Sequence, residues 1–409
     1  MLADYFRDRQ IGLFMGDRSE WKLSIMGFPQ GSVLGPTLWN IMLDDLLRSP
    51  LSPGVELIAY ADDVTILIES QSRRGIEDAA SRVLDTVYEW GVRNRLVFSP
   101  EKSLAMTFRG KLQRPPTIKL GGETIKRVAS ATVLGVVIDT GLSFALHAAN
   151  IGERASRCFG KMSRVSASSW GVKYRSLKII YRGTFVATVT YAAAVWCERA
   201  SLYVVRSALL RTQRPSLILL TKAYRSVSSA ALPVLAGVLP ADLEVLRAGR
   251  MEMARQNAAK EETGIERRAI WESIIEAWQN RWNNELNGRE LFRFFPDVSA
   301  RLNACWVEPD YETSQILTGH GCFRCRLHAM KLCEISMCEC GLEEEDMHHV
   351  LWSCPLYEDI RRRMLDGIER MDTGPVYYTD LVSSEANFRR LKEFAHGWHK
   401  RRGRRNENL

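Results

Sequence analysis

The chain has 409 residues, of which 46% are hydrophobic and 25% charged, a globular composition that excludes collagenous, mucin-like and fully disordered proteins. Its net charge of +8 suits a polyanion partner, and the four charges in the opening MLADYFRDRQ exclude a secretory signal. The longest apolar run, Phe185 to Cys197, has about 13 residues against the roughly 20 that span a bilayer, so no membrane role is expected.

In chain order, Leu2, Tyr5 and Phe6 have helical spacing. Residues 13–26 predict two short strands around Gly16-Asp17, followed by a GFPQGS loop and a helix over 32–47. The runs 55–60 and 64–69, VELIAY and VTILIE, predict a hairpin around A-D-D. Ile76, Ala80, Val83, Leu84, Val87 and Trp90 predict an amphipathic helix over 73–93. Short strands are expected at 96–98, 103–108, 117–120 and 131–138. After about residue 142 helical patterns take over, at 143–168, 173–199, 201–222 and 241–262. Residues 265–300 are rich in Trp, Arg and Phe. From Arg389 to the end, eight Lys/Arg face two Glu over 21 residues. Such a tail reads either as a solvated segment or as a phosphate contact.

Tyr60-Ala61-Asp62-Asp63 places two carboxylates at the tip of the predicted hairpin. Like charges held together are costly unless a divalent cation neutralises them, and hard oxygen ligands suit magnesium. The bland alternative is an ordinary Asp-rich turn. Upstream, Gln30 and Gly31 lie in a loop opening a helix, where backbone can approach a ligand closely and offer donor groups. Downstream, Lys102 follows a predicted strand, and Val133-Leu134-Gly135-Val136 begins another hairpin. Asp44 and Asp45 form a second acidic pair, expected to be a solvated helix end.

Six of the nine cysteines lie between Cys322 and Cys354, which suggests metal rather than disulfides. Cys338, Cys340, His349 and Cys354 have the spacing C-x-C-x8-H-x4-C, four ligands suited to tetrahedral zinc, with Gly341 permitting the sharp turn. His348 competes with His349; the H-x4-C spacing favours His349. Cys322, Cys325 and Cys333 read either as a second site or as free thiols. Trp352, Arg361-Arg362-Arg363 and the tail arginines favour nucleic-acid contact over a purely structural staple.

The succession GFPQGSVLGP, YADD, the Lys102 segment and VLGVVID…H resembles the palm of a reverse transcriptase from non-LTR, LINE-like retrotransposons. YAAAVW at 191–196, RTQR at 211–214 and TGHG at 318–321 resemble the type-I arthropod elements that often insert into ribosomal DNA. The resemblance spans about residues 1–357. It implies an α+β fold: a partial right-hand palm (1–141), a helical thumb and connection (142–300), and a Cys-Cys-His-Cys zinc knuckle with a basic tail (301–409). It implies that Asp62 and Asp63 are paired catalytic aspartates holding Mg2+, and that Gln30, Gly31 and Tyr60 contact template and nucleotide. Lys102 would protonate departing pyrophosphate and Gly135 would grip the primer. The family's first catalytic aspartate lies on an earlier strand, and Asp4, Asp8 and Asp17 are poor substitutes for it. The expectation is a C-terminal piece of a longer polyprotein, inactive in isolation, with any endonuclease in the missing part. Pro296-Asp297 and Pro309-Asp310 precede the knuckle, so no nuclease is read here. The implied partners are element RNA, a chromosomal target-DNA primer and deoxynucleotides, in target-primed reverse transcription, with cytoplasmic synthesis and action in the nucleus. The alternatives are a noncatalytic nucleic-acid-binding relic and an intron maturase, the latter disfavoured by the knuckle.

Overall fold

A computed structural model describes residues 7–24, 27, 31–108, 112–162, 171–257, 262–371 and 373–406. The helical expectation for Leu2, Tyr5 and Phe6, the site expected at Gln30, and Asp4 lie outside these residues. The chain divides into two compact units, Met1–Ala131 and Thr132–Leu409.

In the first unit, strands β1 (Gln10–Met15) and β2 (Arg18–Leu23) pair antiparallel around Gly16-Asp17. Helix α1 (Gly35–Leu47) starts with Pro36 in its first turn, where a missing N–H costs nothing, and Ser32 Oγ accepts from Gly35 N at 3.0 Å. β3 (Val55–Tyr60) and β4 (Asp63–Ile68) form the expected hairpin. Helix α2 (Arg73–Arg93) matches its expected span and is N-capped by Ser72, whose side chain accepts from Gly75 N. Buried Leu43 and Leu46 of α1 meet Val87 and Trp90 of α2, with Leu57, Ala59 and Ile66 of the hairpin packed against them. A neighbouring cluster joins Ala80, Val83 and Leu84 to Leu120 and Ile125.

The strand expected at 96–98 does not form. Arg95 takes a left-handed φ of 56°, and Leu96 N donates back to Gly91 O at 2.8 Å. A Cβ on Gly91 would lie 2.9 Å from Leu96 O, so this turn-back over the helix end needs glycine there. The later strands are shorter than expected: β5 (Leu104–Ala105), β6 (Lys119–Leu120), β7 (Glu123–Thr124) and β8 (Lys126–Arg127). Among the described residues, strands pair only two at a time; the last pair is β9 (Ser130–Val133) with β10 (Val136–Asp139).

The second unit is mainly helical, and one continuous core runs from Val136 to Trp398. Buried residues from 142–300 and from 301–409 belong to this one core. Its helices of eight residues or more are α3 (Ala145–Met162), α4 (Tyr174–Tyr181), α5 (Tyr203–Thr221), α6 (Ala241–Asn257), α7 (Glu262–Asn283), α8 (Tyr311–Thr318), α9 (Glu358–Leu365) and α10 (Glu385–Asn406). α3 and α5 cross where a Cβ on Gly152 would stand 2.5 Å from Thr212 Oγ1. The helix expected over 173–199 is broken. After α4 the backbone widens into a π-turn over Arg182–Val186, and Ala192 turns left-handed at φ 48°. Thr184, Thr188 and Thr190 each donate to the carbonyl four residues back, competing for the helical ladder.

Gln213 of the RTQR segment is buried and joins three elements. Its Nε2 donates to Tyr181 Oη and Leu239 O, both at 2.8 Å, and its Oε1 accepts from Ala241 N at 3.0 Å. The basic tail is not a solvated segment over its described length. α10 buries Phe388, Leu391, Phe394 and Trp398, while Arg401 pairs with Asp359 and Arg402 with the buried Glu345. No described helix is long and apolar enough to cross a membrane.

Candidate functional site

The first candidate site grows from the register of the β3–β4 hairpin. Val55↔Ile68, Leu57↔Ile66 and Ala59↔Val64 share one face, and Leu57, Ala59 and Ile66 pack against the helices. Tyr60↔Asp63 therefore falls on the opposite face, where Tyr60 is 67% exposed. The connection is two residues, not three. Asp63 already belongs to β4, while Asp62 occupies the turn beside Ala61, whose φ is 51°. Both carboxylates are exposed, and neither forms an ion pair among the described residues. Two adjacent, unengaged oxygen-ligand groups at a fixed tip fit a divalent cation of the magnesium type.

Trp39 on α1 holds this turn, its indole Nε1 donating to Ala61 O at 2.9 Å. That role is invisible in the sequence. The second acidic pair splits in function: Asp44 binds Arg48 at 2.6 Å, whereas Asp45 Oδ2 accepts from the indole of buried Trp90 at 2.9 Å. Asp45 is exposed, as expected of a solvated helix end, and in addition serves the Trp90 indole as acceptor. Lys102 is exposed in a turn closed by Ser103, whose Oγ donates to Ser99 O at 2.8 Å. Gly31 is exposed with a φ of 82°, which favours glycine.

In the second unit, Leu134 and Gly135 have φ of 46° and 82°, the paired left-handed turn of a tight hairpin. Tyr191 of YAAAVW donates its hydroxyl to Leu134 O at 2.8 Å, so two separated segments meet at this turn. Asp139 of VVID is structural. Its carboxylate accepts from the backbone of Gly141, Ser143 and Phe144, and although burial opposes its charge, these bonds hold its pKa below the usual range. His147 Nδ1 accepts from Val137 N at 3.2 Å, and burial depresses its pKa.

Cys338, Cys340, His349 and Cys354 converge, with all four ligand atoms within 4.8 Å of one another. Cys338 Sγ lies 3.6 Å from Cys354 Sγ, and Cys340 Sγ lies 3.2 Å from His349 Nε2. Tetrahedral zinc, with Zn–S near 2.3 Å and Zn–N near 2.0 Å, places its ligands roughly 3.5–3.8 Å apart, so the donor set fits. Gly341 turns at φ 73°, and its N–H closes onto Cys338 O at 2.9 Å. His349 points Nε2 at the cluster while Nδ1 faces Glu343 at 3.0 Å and Ser353 at 3.1 Å, the outer contacts that orient a metal-binding imidazole. His348 instead faces the Tyr378 hydroxyl. Cys322, Cys325 and Cys333 form no such group among the described residues: Cys322 faces Tyr224, and Cys333 donates to backbone carbonyls.

Arg361 is not a surface cation. It is buried, and its guanidinium donates to the carbonyls of Leu351 (2.9 Å), Val350 (3.2 Å) and Cys354 (2.6 Å), fastening the segment that carries two of the four cluster residues. Trp352 is half-buried edge-on to Tyr378. Of the basic run, only Arg362 and Arg363 are exposed, and each pairs with an acid of the same helix.

Residues 4–138 match the reverse transcriptase (RNA-dependent DNA polymerase) family. A Retrovirus-related Pol polyprotein from type-1 retrotransposable element R1 2 of Nasonia vitripennis is 31% identical over 388 residues, covering 90% of this chain and 94% of that protein. The chain belongs to the Pol polyproteins of type-1 retrotransposable elements. A 115 kDa protein in type-1 retrotransposable element R1DM of Drosophila melanogaster is 32% identical over 90% of this chain, which spans only 37% of that relative. An RNA-directed DNA polymerase from mobile element jockey of Drosophila funebris is 29% identical over 48% of the chain. No solved structure matches. This Pol polyprotein chain carries a nucleotidyltransferase domain of the RNA-directed DNA polymerase class, in a mixed helix and strand fold.

Proposed function

We propose that this chain supplies the nucleotidyl-transfer residues of an element-encoded RNA-directed DNA polymerase that copies element RNA by target-primed reverse transcription. The carrying observation is the Tyr60–Asp63 hairpin, whose two unengaged carboxylates are set at a turn held by Trp39. Asp62 and Asp63 would hold magnesium, which when bound offsets charge building on the α-phosphate of the incoming deoxynucleotide. The primer 3′-oxygen, its proton lost to solvent, bonds to the α-phosphorus as the bond to pyrophosphate breaks, and Lys102 would give the departing pyrophosphate a proton. Gln30, Gly31 and Tyr60 would contact template and nucleotide, and the Gly135 turn, braced by Tyr191, would support the primer end.

In this reading the first unit is palm, the helices from α3 onward are thumb and connection, and Cys338, Cys340, His349 and Cys354 hold one zinc in a knuckle beside the nucleic acid. The primer is a nicked chromosomal end, which places the action in the nucleus. The test is Asp62→Ala in a Pol polyprotein carrying this chain, given primed RNA, deoxynucleotides and magnesium. Primer extension should fall by more than about a thousandfold with RNA affinity nearly unchanged. Extension at the wild-type rate would remove this hairpin from the chemistry.

A further inference from the structure

The RTQR and TGHG segments, far apart in sequence, meet at the serine-rich loop that follows α5. Arg214 Nη1 donates to Ser229 Oγ at 2.8 Å, and its other terminal nitrogen donates to Arg225 O. From the other side His320 Nδ1 lies 3.1 Å from Ser226 Oγ. The glycines around His320 are dictated by close approach. Gly319 has φ 64°, and a Cβ there would stand 2.9 Å from Glu290 Cγ; on Gly321 it would stand 2.2 Å from Gln315 Oε1. Only this glycine-flanked turn lets the chain leave α8 and still present His320 to the serine loop.

Beside the serine loop and the TGHG turn lies a cavity of about 540 Å³, bounded by Ser226, Ser228, Asn287, Arg289, His320 and Arg326 among others. That volume lies in the range of about 300–1,000 Å³ typical of small-ligand sites, room for a single nucleotide. Its lining holds two arginines, Arg289 and Arg326, against two glutamates, both of which are engaged. The Glu290 carboxylate is engaged with Arg293 at 3.3 Å, and Glu285 is turned onto Asn287, accepting from its backbone N at 3.0 Å and its Nδ2 at 3.1 Å. Arg289 packs over the Phe292 ring and spends Nη1 on carbonyls, while Arg326 uses only Nε, on Gly319 O at 3.3 Å. The terminal nitrogens of Arg326 make no hydrogen bond among the described residues. Burial, and then the charge of Arg326, push the His320 pKa down to about 4, so the imidazole is a neutral hydrogen-bonding group near pH 7. Leu286, 88% exposed, belongs to the lining and offers an apolar surface to a base.

We propose that this cavity seats one unstacked nucleotide of single-stranded nucleic acid, its phosphate on Arg326 and Arg289 and its base edge against the serines and Asn287. Guanidinium forks match phosphate oxygens, and mixed hydroxyl and amide groups read an exposed base edge. A duplex, whose bases stay stacked, cannot enter. The inference deepens the polymerase reading and rests on it: the TGHG turn lines the seat and Arg214 of RTQR braces its serine loop.

The test uses the whole chain and three labelled probes: a 12-nucleotide single-stranded RNA, the same sequence as DNA, and a blunt duplex. Binding is followed by fluorescence anisotropy across a salt series. Arg326→Gln should weaken single-strand binding about 5- to 10-fold and reduce the slope of log affinity against log salt by about 1, the mark of one lost phosphate contact. Asn287→Asp, which adds a negative charge at an exposed loop, should weaken the same probes when measured well below its unfolding temperature. Duplex affinity should stay within about twofold for both variants. A larger loss for RNA than for DNA, or an equal loss, supports the site and tells which strand it holds. Wild-type affinity in both variants, or an equal loss for duplex and single strand, overturns it while leaving the Asp62 chemistry intact. A wild-type chain that binds no single strand overturns the polymerase reading as well.

Discussion

The indole nitrogen of Trp39, on α1, donates to the carbonyl of Ala61, the residue before Asp62, at 2.9 Å. Ala61 has a φ of 51°, a conformation that disfavours a residue bearing a Cβ, and the bond from a packed helix helps to hold it. Trp39→Phe keeps most of the ring and removes the donor. The unfolding free energy should drop by about 1 kcal/mol, the usual worth of such a bond. Extension by a Pol polyprotein carrying the change should fall about tenfold while RNA affinity holds, because a misplaced carboxylate damages geometry more than binding. Unchanged extension alongside the lost stability would reduce Trp39 to a packing residue.

The Cys338, Cys340, His349 and Cys354 cluster makes a prediction about metal content. Purified chain should carry about one zinc, measured by elemental analysis, and Cys338→Ser should lose it. Cys322→Ser should keep it, since Cys322 faces Tyr224 and not the cluster. A chelator should lower the unfolding temperature of the wild type and leave Cys338→Ser unmoved. A zinc-free wild type of full stability would contradict the assignment.

Arg361 should matter to stability more than to binding. Its three carbonyl contacts would be left unpaired in Arg361→Leu, which should cost about 3 kcal/mol in denaturant unfolding. Because the same carbonyls belong to the segment ending at Cys354, zinc should also dissociate faster from this variant. In contrast, Arg362→Ala, at a position where the side chain is 71% exposed, should change stability by less than about 0.5 kcal/mol.

His396 lies 2.9 Å from the Asp310 carboxylate, which Lys392 also approaches at 2.9 Å. The bond to Asp310 raises the His396 pKa against the effect of burial. Burial also opposes the charge on Asp310, but bonds from His396, Thr313 and Lys392 hold its pKa far below the usual carboxylate range. The histidine contribution is complete below about pH 6.5 and fades as pH rises through the raised value. The aspartate contribution is complete above about pH 4 and fades as pH falls toward its lowered value. The pair should stabilise most between these limits. His396→Ala should therefore lower stability more at pH 6 than at pH 9, by under about 1 kcal/mol given that the imidazole is 49% exposed. An equal loss at both pH values would show that only packing was removed.

Local patterns were legible in the residues themselves. The α2 span of Arg73–Arg93 follows from apolar spacing and the Ser72 cap, the hairpin around Asp62 from two β-rich runs, and the grouping of Cys338, Cys340, His349 and Cys354 from their spacing with Gly341 at its turn. Each depends on neighbours in sequence, where periodicity and backbone preference act directly. Long-range choices were not legible. Nothing in the residue order distinguishes Arg361, buried on three carbonyls, from Arg362, exposed beside it, because the difference lies in which face of α9 meets the cluster segment. Nor does it tell that Asp45 receives an indole N–H, that Tyr191 braces the turn at Gly135, or that the tail arginines pair with Asp359 and Glu345. A polar side chain can be drawn to solvent, ligand or carbonyl with similar local cost. Packing of elements tens of residues apart decides which of these it meets.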